Sequence, residues 1–61
     1  MEFNQEQYDK AKELVLKNNN PTISFVQRVM NVSYNIATSL IEKMEQDGFI
    51  VKESGGKYRI A

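Results

Sequence analysis

Apolar positions Tyr8, Ala11, Leu14 and Val15 recur at three- and four-residue steps, so one face of a helix from about Asn4 to Lys17 is apolar. The polar run Asn18-Asn19-Asn20-Pro21 stops it. Thr22 and Ile23 read as a short strand or an extended lead-in. Ser24-Phe25-Val26-Gln27 has the capping-box pattern and predicts a short second helix over about 24–30. Asn31-Val32-Ser33 forms a tight connection, with Val32 turned inward and Ser33 as the next helix cap. A third helix over about 34–47 carries Ala37, Leu40, Ile41 and Met44 on its inner stripe, with Glu42, Lys43, Glu45, Gln46 and Asp47 mostly in water. Gly48 stands where a left-handed stop belongs. Beyond it the period shortens to two, giving strands over about 49–53 and 57–60 around the turn Ser54-Gly55-Gly56.

Helix, short helix, tight turn, long helix, hairpin is the order of a winged helix-turn-helix. The expected class is therefore mainly α with a small β-hairpin, arranged as one domain over residues 1–61. A chain of 61 residues supports one core, and a domain of that size buries only about 60% of the surface its unfolded chain exposes.

Composition narrows the chemistry. Histidine and cysteine are both absent, which removes thiolate or imidazole metal sites, disulfides and Cys/His nucleophiles. No cofactor and no metal are expected, and no enzyme either, because no pair of carboxylates converges for acid–base work. Glu42, Glu45 and Asp47 read as a solvated helix face rather than a metal site. Glu2, Glu6 and Asp9 favour the N-terminal end of the first helix dipole and Lys17 its C-terminal end. Glu6–Lys10 is a favourable pair at four-residue spacing and Asp9–Glu13 an unfavourable one. No apolar run approaches the ~20 residues of a membrane span. The polar, acidic start is unlike a signal peptide, so a cytoplasmic location is expected.

Eight basic and eight acidic residues cancel, so a case for nucleic acid rests on where the charges sit. In a winged helix the second helix braces the third, whose start enters the major groove while the hairpin reaches the backbone. That geometry assigns groove-facing roles to Tyr34, Asn35, Thr38 and Ser39, and phosphate-facing roles to Arg28, Lys57 and Arg59. Asparagine can pair bidentately with adenine, and threonine offers a hydroxyl and a methyl. Ser33 caps the third helix, and with nearby free N–H groups suits a phosphate. Tyr34 either packs under the wing or faces outward. Lys57 and Arg59, two residues apart, share one strand face, as a phosphate patch or as an edge charged against sheet association.

The stretches Ile23-Ser24-Phe25-Val26-Gln27-Arg28, Val32-Ser33-Tyr34-Asn35-Ile36-Ala37 and Leu40-Ile41-Glu42-Lys43-Met44-Glu45-Gln46-Asp47-Gly48-Phe49-Ile50 resemble the C-terminal gamma domain of the FtsK/SpoIIIE DNA translocases. The resemblance runs from Tyr8 to Arg59. It implies a winged helix that reads short oriented DNA sequences, directs a hexameric motor and contacts a site-specific recombinase. Gln27, Arg28, Tyr34, Asn35, Ala37, Lys57 and Arg59 match the family pattern. The family usually has arginine where this chain has Val29, Ile36 and Ser39, a basic residue at Asn31 and glycine at Ser33. Each lost phosphate contact lowers salt-dependent affinity, so the family's fold is expected without its sequence preference. The motor is not expected, since Gly55-Gly56-Lys57 is a hairpin tip and not a P-loop.

Two functions follow. The leading one is binding to double-stranded DNA through the start of the third helix and the wing. The alternative is a protein–protein module that binds a recombinase, translocase or other DNA-processing protein without reading bases. Zero net charge, the missing arginines and the apolar Ile36 favour it. Ile36 packs on the hairpin, meets a thymine methyl or centres a protein contact. A monomer or weak homodimer is expected, as a small regulator, a phage or mobile-element protein, or a domain of a longer chain.

Overall fold

The computed structural model describes residues 3–61; Glu2, expected near the first helix dipole, lies outside them. The elements are α1 (Gln5–Asn18), α2 (Ile23–Met30), α3 (Tyr34–Gln46), β1 (Ile50–Lys52) and β2 (Tyr58–Ile60). This is the mainly α winged helix-turn-helix that the hydrophobic periods predict.

Each helix starts on a side-chain oxygen. Asn4 Oδ1 accepts from the Gln7 N–H at 2.8 Å while Gln7 Oε1 accepts from the Asn4 N–H at 3.0 Å, a reciprocal box for α1. Ser33 Oγ accepts from the Ile36 N–H at 3.2 Å at the start of α3. For α2 the cap is Thr22, whose Oγ1 accepts from the Phe25 N–H at 3.1 Å. The expected Ser24 cap is corrected by two residues, and Ile23 is helical rather than part of a strand. The reason is burial. Ile23 shares a face with Val26 and Met30, and only a helix that already includes Ile23 turns all three inward. Thr22→Ala should therefore cost about 1 kcal/mol and Ser24→Ala almost nothing; equal losses in urea denaturation would restore the Ser24 cap.

The three helices also end alike. Asn19, Asn31 and Gly48 sit at φ 49°, 53° and 84°. The next residue's N–H reaches back in each case: Asn20 to the Val15 carbonyl at 3.1 Å, Val32 to Gln27 at 3.2 Å and Phe49 to Met44 at 3.0 Å. These are the long bonds of Schellman stops, which satisfy carbonyls the helix leaves open. Two of the three stops use asparagine, which tolerates the left-handed region better than other side chains.

β1 and β2 pair antiparallel with Ile50 opposite Ile60, Val51 opposite Arg59 and Lys52 opposite Tyr58. Single ladder bonds extend the pairing beyond the strands, from the Ala61 N–H to the Phe49 carbonyl and from the Glu53 N–H to the Lys57 carbonyl. The turn over Ser54–Gly56 needs positive φ at Gly55 and Gly56 (86° and 80°).

The core joins Tyr8, Ala11 and Val15 of α1, Val26 of α2, Ala37, Leu40, Ile41 and Met44 of α3, and Ile50 of β1. α3 packs on α1, α2 and β1, so it is the central element. Val32 does turn inward as expected, half-buried against this core, and Leu14 is half-buried. The Glu6–Lys10 ion pair is not formed; Gln5 Nε2 instead donates to Asp9 Oδ1 at 2.9 Å.

Candidate macromolecule-binding face

α2, the turn Asn31–Ser33 and the first half of α3 make the helix-turn-helix, and their outward side is nearly free of charge. Positions 18–41 contain a single charged residue, Arg28. Arg28 is exposed in the last turn of α2 and takes part in no ion pair among the described residues. Val29 beside it is 40% exposed, because the inward positions of α2 are Ile23, Val26 and Met30 and leave it outside.

The start of α3 resolves several open choices. Tyr34 is 60% exposed, so it does not pack under the wing. Asn35 is exposed. Ile36 is half-buried, with its apolar side chain packed against the core. Ser33 spends its hydroxyl oxygen on the cap described above. The half-buried Thr38 donates its hydroxyl to the Tyr34 carbonyl at 2.9 Å, a local bond that uses its one donor. Ser39 is half-buried too.

The wing separates its two cations. Lys57 is exposed and unpaired among the described residues. Arg59 Nε lies 3.2 Å from Glu53 Oε2, and its Nη1 donates to the Ile60 carbonyl at 3.3 Å. Much of the Arg59 charge is therefore compensated within the hairpin. An open cleft of about 400 Å³ lies between Pro21–Ile23 and Gly56–Tyr58, which places the wing tip at the first turn of α2. Arg28 lies five residues further along α2 than Ile23, about 7–8 Å by helix rise. Arg28 and Lys57 thus lie towards opposite ends of α2, with no other charged residue along that helix.

At the other end of the molecule, sequence reasoning missed Asp47. Its carboxylate accepts the Tyr8 hydroxyl at 2.7 Å and pairs with Lys43 at 3.2 Å. These bonds, the Tyr8 one first, hold the Asp47 carboxyl below its ordinary range. Burial, then the bond to Asp47 and the charges of Asp47 and Asp9, push the Tyr8 phenol up. Lys12 Nζ stands 4.3 Å from the Phe49 ring centre and 5.5 Å from that of Tyr8, and Phe3 stacks on Tyr8 at 6.2 Å. This cluster ties α1 to the end of α3. Among the described residues no three acidic, histidine or cysteine side chains gather as metal ligands, and no helix is long and apolar enough to cross a membrane.

Residues 2–60 match the family model described as the Ftsk gamma domain. Over 43 residues, 70% of this chain, the sequence is 49% identical to the DNA translocase FtsK of Rhizobium meliloti. Over 52 residues, 85% of the chain, it is 44% identical to DNA translocase FtsK 2 of Ralstonia nicotianae. It is 42% identical over 43 residues to the FtsK of Rickettsia typhi. The matched segments are only 5%, 7% and 6% of those proteins. With its helix-turn-helix and wing in the order the sequence predicts, this chain belongs to the FtsK gamma domain family.

Proposed function

We propose that this chain is a winged-helix contact module that docks onto a DNA-processing protein through the outward side of α2 and the first turn of α3, without reading bases. One observation carries the reading: across positions 18–41 the only charge is Arg28, while Val29 and Tyr34, at 40% and 60% exposure, flank the turn. The centres of protein interfaces are poor in charge and rich in tyrosine and arginine. A DNA face draws most of its affinity from cations set against phosphates, and this one offers a single arginine. From the sequence alone Arg59 reads as a free cation available to phosphate; its pairing with Glu53 removes part of that support for DNA.

The relatives are DNA translocases, so the translocase motor and the site-specific recombinase of the same genome are the partners to titrate. Tyr34→Ala is expected to weaken association at least ~10-fold, as loss of a tyrosine anchor does. Val29→Arg should abolish it by placing a charge in an apolar contact. Both positions are exposed, so melting temperatures should stay unchanged. Wild-type affinity in both variants would overturn this reading.

The second reading, duplex DNA, is favoured by the exposed Asn35 at the start of α3 and by the unpaired Arg28 and Lys57. It makes the opposite forecast for one variant: Val29→Arg would strengthen DNA binding. Lys57→Ala would lower the slope of log affinity against log salt by about 0.9, and Arg59→Ala by less, since Glu53 already offsets its charge. Asn35→Ala would lower discrimination between a preferred site and random duplex by ~1–3 kcal/mol with the slope intact.

A further inference from the structure

The wing is a sheet of two strands, and its ladder shows which backbone groups are spent. The bonds from the Ala61 N–H to the Phe49 carbonyl and from the Glu53 N–H to the Lys57 carbonyl, with Val51 opposite Arg59, fix the odd-numbered positions as the hydrogen-bonded pairs. In an antiparallel pair the intervening residues point their N–H and C=O groups the other way. On β2 those residues are Tyr58 and Ile60, and their backbone groups form its outer edge. Of these four groups only the Ile60 carbonyl has a partner among the described residues, the 3.3 Å contact from Arg59 Nη1. The sequence offers Thr22-Ile23 as a short strand or an extended lead-in, but Ile23 is drawn into α2. The cleft between Pro21–Ile23 and Gly56–Tyr58 lies in its place.

We infer that the outer edge of β2 takes one extended segment of a partner protein as a third antiparallel strand, with acidic and apolar residues alternating along it. Side chains alternate across a strand. Those of Tyr58 and Ile60 face the core and are half-buried, so the added strand meets them with apolar residues. Those of Lys57 and Arg59 lie on the opposite face, exposed, and although Glu53 offsets Arg59, the unpaired Lys57 makes an acidic cross-strand neighbour favourable there. A second copy of this chain fits poorly. Antiparallel pairing of two β2 edges through Tyr58 and Ile60 sets Arg59 opposite Arg59, and like charges directly opposite destabilise. The backbone edge of β2 is not part of the docking side of α2 and α3 proposed above, so the inference does not rest on that reading, although Lys57 is shared with the duplex reading.

The probe is a blocked synthetic peptide, Glu-Val-Glu-Val-Glu-Val-Glu, with the lysine-for-glutamate version as its counterpart, read by amide exchange and chemical shifts on the full chain. Saturating acidic peptide should slow exchange at the Tyr58 and Ile60 amides at least ~10-fold without moving Val29 or Tyr34. Lys57→Glu should weaken the peptide at least ~10-fold. N-methylation of the Tyr58 amide by total synthesis should abolish binding while keeping the ring. Lys57, at φ −85° and ψ 155°, already has the extended backbone that an N-substituted neighbour requires. Unchanged Tyr58 and Ile60 amides would overturn the inference. So would equal protection by the lysine peptide, undiminished binding after N-methylation, or protection that grows with protein concentration without peptide, which would give the edge to a second copy.

Discussion

Replacing Leu40 by alanine is expected to destabilise the fold by ~2–5 kcal/mol, the range for emptying a fully buried leucine site. Leu40 is 0% exposed and lies on α3, the element packed against both other helices and the first wing strand. Its neighbours belong to different elements, so no single one can move to refill the space. A domain of 61 residues has a total stability of roughly 3–9 kcal/mol. Near the lower end of that range the loss removes most or all of the stability. Ile41→Ala should behave alike, since Ile41 is equally buried. Urea unfolding followed by circular dichroism measures both, with Asn35→Ala as the surface control that keeps the wild-type midpoint. A loss below about 1 kcal/mol at Leu40 would mean that the cavity collapses and that α3 is less central than its packing indicates.

Tyr8→Ala should be as damaging, about 3–5 kcal/mol by comparison with other buried aromatic truncations. The side chain is 3% exposed and joins several interactions that fail together: the stack on Phe3, the cations of Lys12 and Lys43, and the bond to Asp47. Tyr8→Phe keeps the ring and removes only the bond, so it separates packing from polarity. It also carries a pH signature. Asp47 has a folded-state pKa below its ordinary 3.8, so its contribution is present above that pH and is lost as pH falls through the folded value. The Tyr8 phenol is raised above its ordinary 10.0, so its contribution is present below that pH and fades as pH rises beyond it. Denaturation midpoints from pH 2 to 11 should fall at both ends in wild type. In Tyr8→Phe the alkaline fall should lose the Tyr8 contribution, and the acid fall should shrink while Lys43 retains part of it. Identical profiles for the two proteins would dissociate Tyr8 from Asp47.

Most of this architecture was legible because it is written in short-range periods. Ala37, Leu40, Ile41 and Met44 define a face by spacing alone, and Ser33 and Gly48 mark the helix ends by side-chain chemistry. The start of α2 was misread for a local reason. Thr22 and Ser24 are both capable caps, and Ser24 alone has glutamine three residues on; the burial of Ile23 against other elements decided for Thr22. Asp47 is exposed, as its helix spacing implies, but its bond to Tyr8, 39 residues away, lies beyond the reach of any local pattern. The candidate binding residues were visible as residue types, whereas their orientation and prior engagements were not. Neither the inward turn of Ile36 nor the Glu53 partner of Arg59 follows from spacing, since each depends on how the hairpin and helices meet.

The left-handed stop at Asn31 puts one of the family's missing charges in a different light. Lysine or arginine at φ 53° would bear a steric penalty of about 1–2 kcal/mol, part of which asparagine relieves by bonding its own backbone. A basic residue there is thus a standing burden on a small fold, tolerable only while a phosphate rewards it. The turn of this helix-turn-helix therefore sets stability against charge: a cation placed at position 31 would weaken the fold unless a bound anion repaid it.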